Sequence, residues 1–297
     1  MRITTRVLAA AAVAATALTL AAGPASAETA FDPGVNDVVG VGSDTTEIYL
    51  QRAANSFNAG LTDQDIRLAS FDATGSATID IRPGTTINRP NGSGAGITAL
   101  LNNPGIDFAR SSRAKGPNDG TLDFYAFASD TQKYATATTS TVPDGLTAAQ
   151  LKDIYTCAPT AIQGLAPKLP QAGSGSRAFF LTSVGLTEAS INPATSPNCV
   201  AFVQENDPTA VAGNAAALVP YSVGRFATGQ GIKLNTTGYA PSRTLYNVVR
   251  DGAVVNDFTL RSIFGTAAQG GFLCNNPSLI TGAGFQTVAN CGVRVFD

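Results

Sequence analysis

The sequence predicts an α/β fold, and two observations carry that expectation. Short apolar runs that end in glycine turns alternate with segments of helical period along most of the chain, the pattern of strands interleaved with helices. Hydrophobic residues make up 44% of the 297 positions and charged residues only 13%. That is enough apolar side chain for one large or two medium domains, and too little charge for a disordered acidic or basic tail.

In chain order, residues 1–27 read as a secretory signal. Arg2 and Arg6 form a basic start, residues 7–22 an apolar stretch, and Ala25-Ser26-Ala27 a small-residue cleavage site. The apolar stretch is shorter than the roughly 20 residues of a spanning helix and ends at Gly23-Pro24. The expectation is cleavage near Ala27 and a secreted chain, extracellular or periplasmic. No cysteine beside the cleavage site offers a point for lipid attachment.

Residues 37–42 read as a buried strand entering a glycine turn. Asp44, with Glu47 three residues on, reads as the N-cap of a helix whose apolar face holds Ile48, Leu50, Ala53, Ala54 and Phe57. A strand is expected at 66–73, an irregular connection at 79–90, and a helix at 97–101 behind Asn91-Gly92-Ser93-Gly94-Ala95-Gly96. A short strand at 106–109 ends in Arg110-Ser111-Ser112-Arg113, and residues 124–137 alternate as extended structure. Helices follow at 146–155 and behind Ala172-Gly173-Ser174-Gly175-Ser176-Arg177. Strands at 216–223 and 243–249, a helix around 258–264 and a cysteine-bearing tail complete the chain.

What is missing narrows the chemistry. Histidine is absent, which excludes Ser-His-Asp and Cys-His nucleophiles and histidine-containing zinc sites. A P-loop is absent, and 19 basic against 21 acidic residues give no footprint for duplex nucleic acid. No catalytic residue, no cofactor and no metal is expected. Cys157, Cys199, Cys274 and Cys291 are an even set behind a secretory signal and imply disulfides. Three pairings are possible, and proximity in sequence favours Cys157 with Cys199 and Cys274 with Cys291. No Cys-x-x-Cys is present to suggest redox activity.

Three segments share one design, a glycine turn carrying hydroxyls ahead of a helix: 42–46, 92–96 and 173–176. Helix N-termini present unpaired N–H groups and partial positive charge, and glycine lets a ligand approach the backbone. Thr45, Ser93, Ser174 and Ser176 add neutral donors. Such loops, brought together, would cradle a small anion. Arg110, Arg113 and Arg177 stand within or beside them and are suited to planar oxyanion recognition, with Arg89 a weaker candidate. Each motif also has an ordinary structural reading: capping already explains Asp44, and an arginine can simply be a solvated surface charge.

The order of these motifs resembles the substrate-binding protein of the bacterial phosphate ABC transporter and its wider phosphate-binding-like family. The likeness runs through Val39-Gly40-Val41-Gly42-Ser43-Asp44-Thr45, Asn91-Gly92-Ser93-Gly94-Ala95-Gly96, Ile106-Asp107-Phe108-Ala109, residues 146–155 and Gly173-Ser174-Gly175-Ser176. The resemblance implies a two-lobed periplasmic-binding-protein-like fold of type II, with two crossover segments and an interlobe cleft. Residues 28–125 plus 242–297 would form the first lobe and 126–241 the second. Ligand-facing groups would then lie at Asp44, Thr45, Ser93, Ser174, Gly175 and Ser176. The family's acidic residue that accepts a proton from phosphate falls at Ser112, and its arginine ahead of the Gly-Ser-Gly loop falls near Pro170.

The resulting expectation is a secreted solute-binding protein, monomeric by family analogy. It would capture a small oxyanion, phosphate first, for an ABC permease. The alternative keeps the fold without a transporter, as a scavenger, surface-interaction or signalling factor. A serine hydrolase using Ser174 or Ser176 ranks third, since the loop carries no Ser-x-x-Lys.

Overall fold

A computed structural model describes residues 29–192 and 198–295. The signal expected at 1–27 lies outside the described residues. The central sheet begins with β1 (Val38–Gly42), every residue of which is buried. It pairs in parallel with β2 (Leu68–Ser70) and with the strand Phe108–Ser111. Between these lie a hairpin of β3 (Thr78–Arg82) and β4 (Thr85–Asn88), and then β5 is the strand Phe108–Ser111. The hairpin replaces the irregular connection expected at 79–90. Ile79 and Ile81 alternate into the core, and Gly84, at φ +73°, makes the tight turn.

The 15-residue β6 (Asp123–Ala137) joins the two halves of the molecule. Its first part pairs with the returning strand Ser242–Val249, from Asp123 to Thr131, and its second part, from Gln132 to Thr136, with the strand Ala217–Ser222. With β7 (Ala166–Pro170), β8 (Ala201–Val203), β9 (Ala217–Ser222), β10 (Ile232–Leu234) and β11 (Ser242–Val249), the order is β2-β1-β5-β11-β6-β9-β7-β8. The chain thus passes into its second half along β6 and returns along β11, and the pairing changes between Thr131 and Gln132.

Both sheet faces are covered, as the apolar runs require. Val38, Leu50, Phe108, Phe127 and Phe264 form one cluster, while Val39, Ile97, Phe124 and Val248 form another on the opposite face. Neighbouring residues of β1 and β6 divide between the two because strand side chains alternate. The second half has its own clusters, one with Tyr134, Tyr155, Leu169 and Phe180 and one with Val219, Tyr221 and Ile232. Disulfides join Cys157 to Cys199 and Cys274 to Cys291, with Cα atoms 6.3 and 5.7 Å apart. Among the described residues no helix is long and apolar enough to cross a membrane.

The helices that matter for the site are α1 (Glu47–Phe57), α2 (Ser93–Asn102), α3 (Ala148–Tyr155) and α4 (Gly175–Ser183). Two starts are earlier than expected, at Ser93 and Gly175, which puts the glycine loops inside the first helical turns. The capping box expected from Asp44 and Glu47 does not form: Thr46 is the N-cap and no side chain caps it. Both carboxylates turn inward to other partners instead, as the site shows.

Candidate functional site

The three glycine loops meet at the junction of the two halves. The Gly94 N–H donates to Gly173 O at 2.9 Å, and the Ser112 N–H donates to Ser93 Oγ at 3.0 Å. Ser43 Oγ and Ser93 Oγ each lie within hydrogen-bond distance of Ser112 Oγ, at 3.1 and 3.3 Å. A Cβ on Gly175 would stand 2.3 Å from both Ser112 Oγ and Ser93 Oγ. Glycine is therefore required there for α4 to bring its N-terminus against those hydroxyls.

At the centre is Thr45, fully buried at the end of the β1 turn. Its hydroxyl donates to Glu205 Oε1 at 3.1 Å, accepts from Arg243 Nη2 at 3.2 Å, and lies 3.4 Å from Ser176 Oγ. The Ser176 N–H, in the first turn of α4, also donates to Glu205 Oε1, at 3.1 Å. Arg243 Nη1 donates to Ser176 Oγ at 3.0 Å, and its guanidinium is held by Asp130 Oδ2, at 2.8 Å from Nη2. The Thr45 hydroxyl and a helix N-terminal N–H thus meet on one carboxylate oxygen, and a braced arginine stands behind them on Thr45 Oγ1 and Ser176 Oγ. This is the donor set that recognises small oxyanions.

Asp44 and Glu47 belong to a second, adjoining cluster. Asn206 Nδ2 donates to Asp44 Oδ1 at 2.7 Å, and Arg225 Nη2 stands 3.5 Å from Asp44 Oδ2 and 3.0 Å from Glu47 Oε1. Glu47 Oε2 also accepts the Ala73 N–H at 2.9 Å, which explains why it abandons the helix cap. Burial pushes the Asp44 carboxyl well above its ordinary range; Arg225 opposes this, and the neighbouring Glu47 and Glu205 add to it. Burial works to lower the Arg225 guanidinium, but Asp44 and Glu47 prevail and raise it.

The arginines singled out from sequence do other work. Arg110 is wholly buried and donates to Ser43 O, Gly42 O and Ser70 Oγ, so it holds the β1 turn from behind. Arg113 pairs with Asp119 at 2.6 Å. Arg177 pairs with Glu188, donates to Pro170 O at 3.0 Å and lies over the Phe202 ring. Arg89 donates to the backbone oxygens of Ser76 and Asp72. Ser174 caps α4, its hydroxyl accepting the Arg177 N–H at 3.1 Å. The cation at the site is Arg243, which sequence reading missed together with Asp130, Glu205 and Asn206. One signal for the first pair existed: Asp130 and Arg243 are opposite charges within segments read as strands, and they stand directly across from each other in the β6–β11 register.

No protein-family model and no curated protein sequence matches the chain. Among solved structures, it is similar to a putative phosphate ABC transporter substrate-binding protein from Clostridium perfringens with bound phosphate. The TM-score is 0.63 at 17% identity, over 85% of this chain and 100% of that one. An ABC-type phosphate transport receptor from Vibrio cholerae gives 0.59 at 20% identity, over 85% and 100%. The fold is periplasmic-binding-protein-like. The same binding-protein-like fold extends to OxyR from Corynebacterium glutamicum with bound hydrogen peroxide, at 0.51 and 12% identity over 85% of this chain and 68% of that one. Fold alone therefore does not assign a ligand. In this chain the binding-protein-like scaffold carries a site whose groups come from both sides of the β6 pairing change, Thr45, Ser93 and Arg243 from one and Ser176 and Glu205 from the other.

Proposed function

We propose that the chain is a secreted solute-binding protein that holds a small oxyanion between its two lobes without changing it chemically. In this reading residues 28–125 plus 242–297 form one lobe and 126–241 the other. The observation that supports it is the convergence of the Thr45 hydroxyl and the Ser176 N–H on a single buried anionic oxygen, with Arg243 donating to Thr45 Oγ1 and Ser176 Oγ beside it. Phosphate is the first solute to test, because the structures of similar fold include phosphate-binding ones. Ser112 stands where the resemblance expects an acid, so the site offers a hydroxyl and no carboxylate there to accept the phosphate proton. Sulfate and short carboxylates therefore belong in the same screen.

The test is an equilibrium titration of phosphate, sulfate and acetate, read by calorimetry and by the rise in melting temperature that binding to the folded state must produce. Binding that is lost in Thr45→Val supports the reading. Two folded proteins, wild type and Thr45→Val, that respond identically to every anion would exclude it. Delivery to an ABC permease is the role we propose downstream. Secretion without such a partner, as a scavenger or signalling factor, is favoured if no permease and ATPase are encoded beside the gene.

A further inference from the structure

The turn Gln204-Glu205-Asn206, directly after β8, belongs to none of the loops marked by glycine. It is anchored in the second half of the molecule: the Glu205 N–H donates to Gln171 Oε1 at 2.8 Å, Asn206 Oδ1 accepts the Ser222 N–H at 3.0 Å, and Asn206 O accepts from Tyr221 Oη at 2.8 Å. All three of its side chains reach the other half. Asn91 Nδ2 donates to Gln204 Oε1 at 2.8 Å, Thr45 donates to Glu205, and Asn206 donates to Asp44.

Glu205 is only 1% exposed. Its Oε1 takes both the Thr45 hydroxyl and the Ser176 N–H, while Oε2 is buried with no hydrogen-bond partner among the described residues. Each of those donors has a single proton, and both protons point to Glu205. A solute oxyanion cannot share them: it would meet a carboxylate on the same two donors.

We propose that Glu205 is a tethered ligand of this site, closing the lobes in the absence of solute and setting solute affinity by having to be displaced. The proposal rests on the reading of the site as an oxyanion site. Its consequence is thermodynamic. Apparent affinity falls by the fraction of molecules with Glu205 withdrawn, so if fewer than about one molecule in ten is open, removing the carboxylate strengthens binding at least about tenfold.

The experiment titrates inorganic phosphate, with acetate in parallel as a stand-in for the deleted carboxylate, into wild type, Glu205→Ala and Glu205→Gln. The expected result is at least about tenfold tighter anion binding in Glu205→Ala than in wild type. Glu205→Gln, which keeps the side-chain shape, is expected to gain in the same direction. It decides the question if the alanine variant does not fold. Wild-type binding that the variants match or fall below would overturn the tethered ligand and leave the oxyanion reading standing. Binding of neither anion by any of the three would remove the oxyanion reading, and the tethered ligand with it.

Discussion

The loop after β5 and the β6–β11 junction each hold an arginine against an aspartate, Arg113 with Asp119 at 2.6 Å and Arg243 with Asp130 at 2.8 Å. The first pair is six residues apart in sequence, and its arginine is 20% exposed. The second is 113 residues apart and essentially dry, at 2% and 0% exposure. Only the second touches the groups that face Glu205. Nearness to a glycine loop in sequence is thus a poor guide to which arginine reaches the groups around Thr45. Strand register is the better one, because it brings charges together across the whole chain and buries them.

The largest way to break this comparison is Arg243→Ala. Removing one partner of a buried ion pair leaves the Asp130 carboxylate with only the Gly224 N–H among the described residues, and should cost about 3–5 kcal/mol of folding stability. Urea denaturation followed by circular dichroism measures it. A loss no greater than that of Arg113→Ala would put the two pairs in one class. Gly175→Ala comes next. Its new Cβ would meet Ser93 Oγ and Ser112 Oγ at 2.3 Å, an overpacking that should cost about 1–3 kcal/mol. Gly213→Ala is the control, with nothing within 4 Å of its Cβ, and should change stability by less than about 0.5 kcal/mol.

Asp44 sharpens the comparison through pH. Its carboxyl is raised in the folded state above the ordinary 3.8, so between that value and the raised one the folded protein holds a proton that the unfolded chain has released. Stability should therefore fall as pH rises through that window, by up to about 1.4 kcal/mol per pH unit. Asp44→Asn should flatten that slope in denaturation curves taken at successive pH values; an unchanged slope would place the proton elsewhere. The smallest effect is expected at the loop after β5. Arg113→Ala should cost less than Arg243→Ala, because the Arg113 guanidinium keeps contact with water although Asp119 is 5% exposed, and it should leave any solute affinity within measurement error in the same titration.

Much of the site's scaffold was legible locally. The hydroxyl-bearing glycine turns are contiguous in sequence, and their conformational needs belong to the residues themselves: Gly92 at φ +105°, and Gly175 with no room for a Cβ. The strands 37–42, 124–137 and 243–249 could be read because their apolar residues, in a run or in alternation, reflect burial on the faces of a sheet. The hairpin at Thr78–Asn88 was missed because Ile79, Ile81 and Ile87 are spread among Pro, Gly and Thr that read as loop. Asp44 was misplaced for a different reason: its cap geometry is satisfied in sequence, but Asn206 and Arg225 offer partners that no local pattern encodes.

By itself, the sequence determined the α/β class, the exclusion of histidine chemistry, the cysteine set and the three hydroxyl-bearing turns. Composition and short-range period dictate these. Which cation and which carboxylate meet at the centre was decided only by tertiary structure. Arg243 reaches Thr45 across 198 residues, and Glu205 reaches it across 160. Those approaches depend on β11 returning beside β6 and on the Gln204–Asn206 turn reaching Asn91 and Asp44. Hydrogen bonds act near 3 Å, so a site assembled from distant segments exists only once the register of the sheet has set those separations.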